Sequence, residues 1–348
     1  MPDPRTLYVV MAIVVLGLVS WVIAVLLRPA TESKKSPSAS RALPAGAPAS
    51  LSPAKREPVP LPKLHQDDES ESQSSLGVHV SGDDEDDAPT GPFPLILVNA
   101  VARTDPGLKR AHNEDAYAIL EDHHLFVIAD GMGRHAAGEV ASKLCVDAIA
   151  ESFRTANFGP VRSPPLPRRA SRLRGAVSLA NDRIYREAQA NDAYTGMGTT
   201  VVCAYFSPNN QFVCIAHVGD SRCYRLRAGK LTQLTRDHTL GNAGIQGKTS
   251  GLLSRAVGID KTVEVEVTVE SPLPGDTYLL CSDGLTRMVE APEIQSTLES
   301  VSDLDDATRM LVQRANERGG RDNITTILVR VDALKKSGSV AARRATTS

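Results

Sequence analysis

Two apolar runs in this chain end in the same dipeptide. LFVIA, Leu125 to Ala129, runs directly into Asp130-Gly131, and TYLLCS, Thr277 to Ser282, runs into Asp283-Gly284. Both runs read as buried strands. A carboxylate at the end of a buried strand is placed to hold an ion, while the glycine lets the chain turn sharply away. Taken singly, Asp-Gly is also simply a favourable turn. Asp322-Asn323 stands immediately before a third apolar run, ITTILVRV, and Asn113-Glu114-Asp115 precedes a fourth. None of these carboxylates has a neighbouring His or Cys at zinc-like spacing. An all-oxygen set suits hard cations such as Mg2+ or Mn2+. Two such ions sharing a carboxylate and a water would generate a hydroxide at neutral pH and neutralise a phosphoryl group during in-line attack. The residues therefore point to a hydrolase.

The rest of the 348 residues divides by composition. Residues 1–6 form a short N-terminal segment. Leu7 to Leu27 is uninterrupted and apolar, LYVVMAIVVLGLVSWVIAVLL. A helix of that length spans about 30 Å, the thickness of a bilayer core, and is read as an uncleaved transmembrane anchor. A cleaved signal peptide would have a shorter apolar region and a clean small-x-small site, which LLRPATES does not offer. Only Arg5 and the α-amino group precede the run, whereas Arg28, Lys34, Lys35 and Arg41 stand after it, so the positive-inside rule places the chain beyond residue 27 in the cytoplasm. The expected location is the inner (plasma) membrane, single-pass, with the C-terminal domain cytoplasmic. Residues 28–92 are rich in Pro, Ser and Ala and then acidic, with too few aliphatic groups to offset the entropy of ordering, and read as a disordered linker.

From Leu95 onward apolar runs alternate with helix-like stretches. Helical spacing runs from Gly138 to Phe153, Leu173 to Ala190 and Asp303 to Glu317. TTVVCAYF, FVCIAHV, CYRLR, VEVEVTV, TYLLCS and ITTILVRV read as strands, with FVCIAHV and CYRLR joined by a tight turn at Gly219-Asp220-Ser221. Strands in mixed runs with few helices between them suggest antiparallel sheets with helices packed outside. The five cysteines form no CxxC pair and sit mostly in apolar runs, the pattern of buried thiols. A net charge of -2 gives no argument for nucleic acid as a partner. Residues 335–348 read as a flexible basic tail.

The segment RAHNEDA, Arg110 to Ala116, resembles the opening signature of bacterial metal-dependent serine/threonine protein phosphatases of the type 2C class. Further similar blocks come in the family's order: DGMGRHAAGEVAS, GMGTT, HVGDSRCYRL, SRAVG, CSDGL and GGRDNIT. They cover roughly Asn99 to Val331 and imply a phosphatase domain at 93–334. The resemblance implies a fold of the α+β class, a β-sandwich of two mainly antiparallel sheets flanked by helices in four layers. It implies that Asp130 bridges two Mn2+ or Mg2+ ions, that Gly131 contributes its carbonyl, and that Asp283 and Asp322 complete the ion Asp130 shares. Glu114 and Asp115 then surround the other ion, partly through waters, and Arg110 grips the substrate phosphate, a task suited to a permanently charged fork. The catalytic set so implied is Arg110, Asp130 and Asp283, with Asn323 supporting the site from behind. Asp220 and Arg222 read as a hairpin turn with structural partners.

The chain also departs from the family. Arg134 stands where a glycine is usual, either placing positive charge near the cleft mouth or pointing to solvent. Met132 occupies the place of a histidine found in eukaryotic relatives, and His135 nearby is read as fixing the loop, which leaves a metal-bound water as proton donor. Bacterial members often bind a third, weaker ion through an acidic residue shortly before GMGTT. Asp192 is the nearest residue here, offset from that position. Between His238 and Ser254 the run TLGNAGIQGKTSGLL is short where many relatives carry a helical flap, and His238 itself is read as structural. The expected activity is metal-dependent hydrolysis of phosphoserine and phosphothreonine in proteins, opposing serine/threonine kinases at the membrane, by a monomeric catalytic domain. Phosphorylated proteins, kinases among them, are the expected partners. The alternative is a catalytically silent, membrane-tethered scaffold that binds phosphoproteins, against which stands the complete ligand set.

Overall fold

The computed structural model describes residues 96–133, 137–159, 166–207 and 211–333. The expected anchor at 7–27, the linker at 28–92, the tail at 335–348, Arg134 and His135 lie outside these residues. Among the described residues no helix is long and apolar enough to cross a membrane.

Among the described residues eleven strands form two sheets, and every strand pair is antiparallel. One sheet contains β1 (Ile96–Asp105), β11 (Ile324–Ala333), β10 (Thr277–Cys281), β7 (Arg222–Arg227) and β8 (Lys230–Gln233), in that spatial order. The other runs β2 (Asp115–Leu120), β3 (Leu125–Met132), β5 (Val201–Phe206), β6 (Val213–Val218) and β9 (Glu266–Glu270), with β4 (Gly198–Thr199) paired to the end of β3. The helices are α1 (Ala137–Arg154), α2 (Arg168–Ala190), α3 (Asp283–Thr286), α4 (Ala291–Ser300) and α5 (Leu304–Glu317).

The period-2 alternation of strand side chains explains why the central strands are apolar throughout. In β3, Leu125, Val127 and Ala129 pack with α1 and α2, whereas Phe126 and Ile128 face the other sheet. In β11, Ile327, Val329 and Val331 enter the layer between the sheets, and Ile324 and Leu328 pack under α3 to α5. Three apolar layers thus separate four structural ones, helix, sheet, sheet and helix, as expected for this class. Small residues on α1 (Ala137, Ala141, Cys145, Ala148) let it settle closely on its sheet and on α2. In α5 the stripe Leu304, Ala307, Leu311, Val312 and Ala315 is buried, and Asp303 caps the helix by accepting the Asp306 N–H at 2.9 Å.

One connection differs from the sequence reading. Gly219-Asp220-Ser221 is not a hairpin turn, because β6 and β7 belong to different sheets. The edges of β6 are already taken by β5 and β9, so the chain must cross between the layers to find its next partner. Helix α4 has no counterpart in the sequence reading. Only Ile294 and Thr297 of it are buried, too weak a stripe to register as a period.

Candidate metal centre

Asp115, the first residue of β2, stands opposite Asp130 in the register of β2 with β3. Its carboxylate is buried, and Oδ2 accepts two hydroxyl bonds from the other sheet, from Thr325 at 2.7 Å and Ser282 at 2.8 Å. Oδ1 is equally buried and has no hydrogen-bond partner. A carboxylate oxygen without a donor is costly inside a protein unless a cation serves it.

The GMGTT segment fixes the backbone around Asp130. The Asp130 carbonyl accepts from the Thr200 N–H and the Thr199 hydroxyl, both at 2.8 Å, and the Asp130 N–H donates to Thr200 Oγ1 at 3.3 Å. Thr200 Oγ1 also lies 2.7 Å from Ser221 Oγ, which ties the sheet-to-sheet crossover to the same point. Gly131 comes next, and its N–H donates to the Glu114 carbonyl at 3.1 Å. A Cβ on Gly131 would stand 2.1 Å from the Gly138 carbonyl oxygen and 2.6 Å from that of Glu114. Only glycine fits at 131, where both clashes are with backbone, whereas a Cβ on Gly138 would press on the Glu114 carboxyl carbon at 2.9 Å and on the Gly131 carbonyl carbon at 3.0 Å.

Asn323 organises the acidic segment before β2. Its Oδ1 accepts the Glu114 N–H at 2.8 Å, while Nδ2 donates to the Pro106 and His112 carbonyls, each at 2.9 Å. Asp322 beside it takes the Arg110 guanidinium at 2.8 Å, with the Arg110 side chain about half exposed. Asp283 opens α3. Its Oδ2 meets Arg287 Nη2 at 2.5 Å, and its Oδ1 is buried without a partner, the second such oxygen in the group.

The electrostatics follow from this crowding. Removal from water raises the Asp115 carboxyl to about 6, against the lowering effect of the Thr325 and Ser282 hydroxyls. Asp283 is pushed up to about 7, first by burial, then by Asp220, with Arg287 opposing. Asp130 rises well above the carboxylate range through burial and the charges of Asp115, Asp283, Asp322 and Asp220. Glu114 is raised as well, mainly by burial. Clustered acids with raised affinity for protons are a chemistry that a divalent cation can serve. The donors are oxygens only, two buried oxygens lack partners, and no Cβ blocks the Gly131 backbone. These residues fit Mn2+ or Mg2+.

The structure thus brings together Arg110, Glu114, Asp115, Asp130, Gly131, Asp283, Asp322 and Asn323. Asp192 stands exposed in a single 3-10 turn, Asp192–Tyr194, and is not among the charges that act most on Asp130. The structure adds Thr199, Thr200, Ser282, Thr325 and Arg287, which the sequence analysis gave no role, and Asp220, read there as part of a hairpin turn. Asp220 was hidden by its resemblance to a turn, although the unbroken apolar run before it marks a central strand with both edges occupied.

His217, His238 and Glu266 form a second cluster with possible ligand atoms within 4.8 Å of one another. The two imidazoles are stacked, 4.6 Å between centroids and 23° between planes. Ring nitrogens bind along directions lying in the ring planes, and planes this nearly parallel do not converge on one ion. The nitrogens have other partners: His217 Nε2 meets the Arg236 carbonyl at 2.9 Å, and His238 Nδ1 accepts the Gly219 N–H at 3.2 Å. His238 also accepts the Ser254 N–H at its carbonyl, 2.8 Å, which closes the base of the loop at 239–254.

A model of the family described as protein phosphatase 2C matches residues 109–329. The serine/threonine phosphatase stp of Listeria monocytogenes is 36% identical over 253 residues, covering 69% of this chain and 98% of that protein. The crystal structure of the Mycobacterium tuberculosis serine/threonine phosphatase PstP/Ppp aligns with a TM-score of 0.59 at 33% identity, over 68% of this chain and 99% of that one. A second structure, of the PstP catalytic domain in complex with two manganese ions, aligns with the same score at 34% identity, again over 68% and 99%.

Proposed function

The chain belongs to the protein phosphatase 2C family, and from that premise we propose that its acidic centre hydrolyses phosphoserine and phosphothreonine esters of proteins with two Mn2+ or Mg2+ ions. The observation that carries this reading is the pair of buried oxygens, Asp115 Oδ1 and Asp283 Oδ1, left without donors in a cluster of raised acids. In this reading Asp130, Gly131, Asp283 and Asp322 would hold one ion, and Asp130 with Glu114 and Asp115 would hold the other, directly or through waters. When bound, the ions supply charge neutralisation at the phosphoryl group and a lowered pKa for water.

The chain's own residues do the positioning. Ser282 and Thr325 fix one oxygen of Asp115, which turns the other toward its task. Thr199 and Thr200 lock the backbone of Asp130, and Asn323 locks that of Glu114. Arg110 is exposed enough to leave Asp322 and take the phosphate with two parallel N–H bonds.

The chain-level arrangement is part of the same reading: a membrane span at 7–27, a tether at 28–92, a monomeric phosphatase domain at 93–334 facing the cytoplasm, and a tail at 335–348. The apolar run and its basic flank support it. There the enzyme would oppose serine/threonine kinases. The test uses the full-length chain in detergent, assayed on phosphopeptides and on small phosphomonoesters with and without added Mn2+. Phosphopeptide turnover that requires the ion is expected, and turnover that survives exhaustive chelation would defeat the reading. Fractionation of cells expressing the chain with and without residues 1–28 tests the anchor, and equal distribution of both forms would remove it.

A further inference from the structure

Arg287 sits at the foot of the acidic cluster and touches two of its members at once. One nitrogen, Nη2, is 2.5 Å from Asp283 Oδ2 and 3.5 Å from Asp220 Oδ2. The two carboxylates come from different segments: Asp220 from the crossover after β6, Asp283 from the start of α3. Both are buried, at 8% exposure, whereas the Arg287 side chain is 55% exposed and reaches in from the surface. Its own backbone is fixed by donation of the Arg287 N–H to the Asp283 carbonyl at 2.8 Å, one helical turn back.

We propose that Arg287 is a resident counter-cation for Asp220 and Asp283, and that by occupying the place between them it limits this centre to two divalent ions. The inference rests on the two-ion reading above. A Mn2+ or Mg2+ ion binds carboxylate oxygens at about 2.0–2.2 Å. An ion that close to both Asp283 Oδ2 and Asp220 Oδ2 would compete with the one guanidinium nitrogen that already contacts both. The guanidinium carries its charge at every pH the protein will meet, and it is tethered to the same helical turn as Asp283. A free third ion must displace a neighbour with a high effective concentration. Asp283 therefore divides its two oxygens. Oδ2 serves Arg287, and Oδ1, which has no hydrogen-bond partner, remains for an ion shared with Asp130.

The test counts ions, so it does not depend on turnover. Full-length protein in detergent is stripped with chelator and brought to equilibrium dialysis against a series of free Mn2+ concentrations. Bound manganese per chain is expected to plateau at two for wild type and for Arg287→Lys, which keeps a cation in place. Arg287→Gln is expected to plateau at three, and the double variant Arg287→Gln with Asp220→Asn to return to two. Since the Arg287 side chain is more than half exposed, the single variants should keep the wild-type circular dichroism spectrum. A plateau of three in wild type, or of two in Arg287→Gln, overturns the proposal. Wild-type protein that takes up no manganese overturns it together with the two-ion reading, whereas a plateau of two in both wild type and Arg287→Gln overturns it alone.

Discussion

Asp115 stands directly opposite Asp130 in the antiparallel pairing of β2 with β3, so two acids share one rung of a ladder. Like charges placed directly opposite destabilise a sheet. The pair is tolerated because one oxygen of Asp115 is held by Thr325 and Ser282 from the other sheet, and burial raises both carboxyls and so favours their neutral forms.

Replacing Asp130 or Asp283 by alanine should abolish metal-dependent phosphate release while leaving the melting temperature in chelator unchanged or raised. The acids contribute repulsion to the metal-free fold, and the apolar layers do not depend on them. At least about a hundredfold loss of turnover is expected, since several kcal/mol of charge stabilisation depends on the ions. A phosphopeptide assay paired with thermal melting checks both halves. A variant that is inactive only because it unfolds would contradict this expectation.

The metal-free protein should become less stable as pH rises toward neutrality. Asp115 titrates at about 6 and Asp283 at about 7 in the folded chain, against 3.8 ordinarily. Between these limits the folded state binds more protons than the unfolded one, so stability falls with increasing pH. Their stabilising contribution is complete below about pH 4 and is lost as pH passes about 7. Melting in chelator should occur at a higher temperature at about pH 5.5 than at about pH 7.5. Saturating Mn2+ should reverse that order, adding about 2.7 kcal/mol at a free ion concentration of 100 times Kd. Asp283→Asn should flatten the pH dependence in chelator.

Asn323→Ala should weaken Mn2+ binding by about 10- to 100-fold, as loss of a group that orients ligands commonly does. Three bonds to the segment between Pro106 and Glu114 disappear with this side chain. Calorimetric titration of Mn2+ measures the effect. An unchanged affinity would mean that Glu114 does not depend on this clamp.

Arg110→Ala should lower kcat/KM for phosphopeptides by about 10- to 100-fold, the equivalent of one charged hydrogen-bonding contact worth about 1.5–3 kcal/mol. Arg110→Lys should recover only part of this, because an ammonium lacks the fork that matches a phosphate. The ion count should stay at two in both variants. If metal binding fell in step with activity, Arg110 would be acting on Asp322 and not on substrate.

Legibility in the sequence depended on whether a signal was local. The buried strands LFVIA and TYLLC announce themselves by unbroken apolar runs, and α5 by its stripe from Leu304 to Ala315. The acids Asp130, Asp283, Asp322 and the pair Glu114-Asp115 stand at the ends of such runs, so their grouping was anticipated from the order of the blocks. The helix α4 was not legible because only two of its side chains are buried.

Other roles were invisible because they exist only between segments far apart in sequence. Asp220 resembled a turn residue until the pairing of β6 with β5 and β9 forced the chain across to the other sheet. Ser282 and Thr325 are ordinary strand-end residues until β10 and β11 align them on Asp115, more than 160 positions away. Arg287 shows no pattern at all as a letter in LTRMV. By itself the sequence determined which residues are apolar enough to form layers and which acids stand at their ends, because burial and periodicity are local properties. Only the tertiary structure decided which oxygens are already satisfied, which are left for an ion, and which cation holds Asp220 beside Asp283, because those depend on distances that no spacing along the chain encodes.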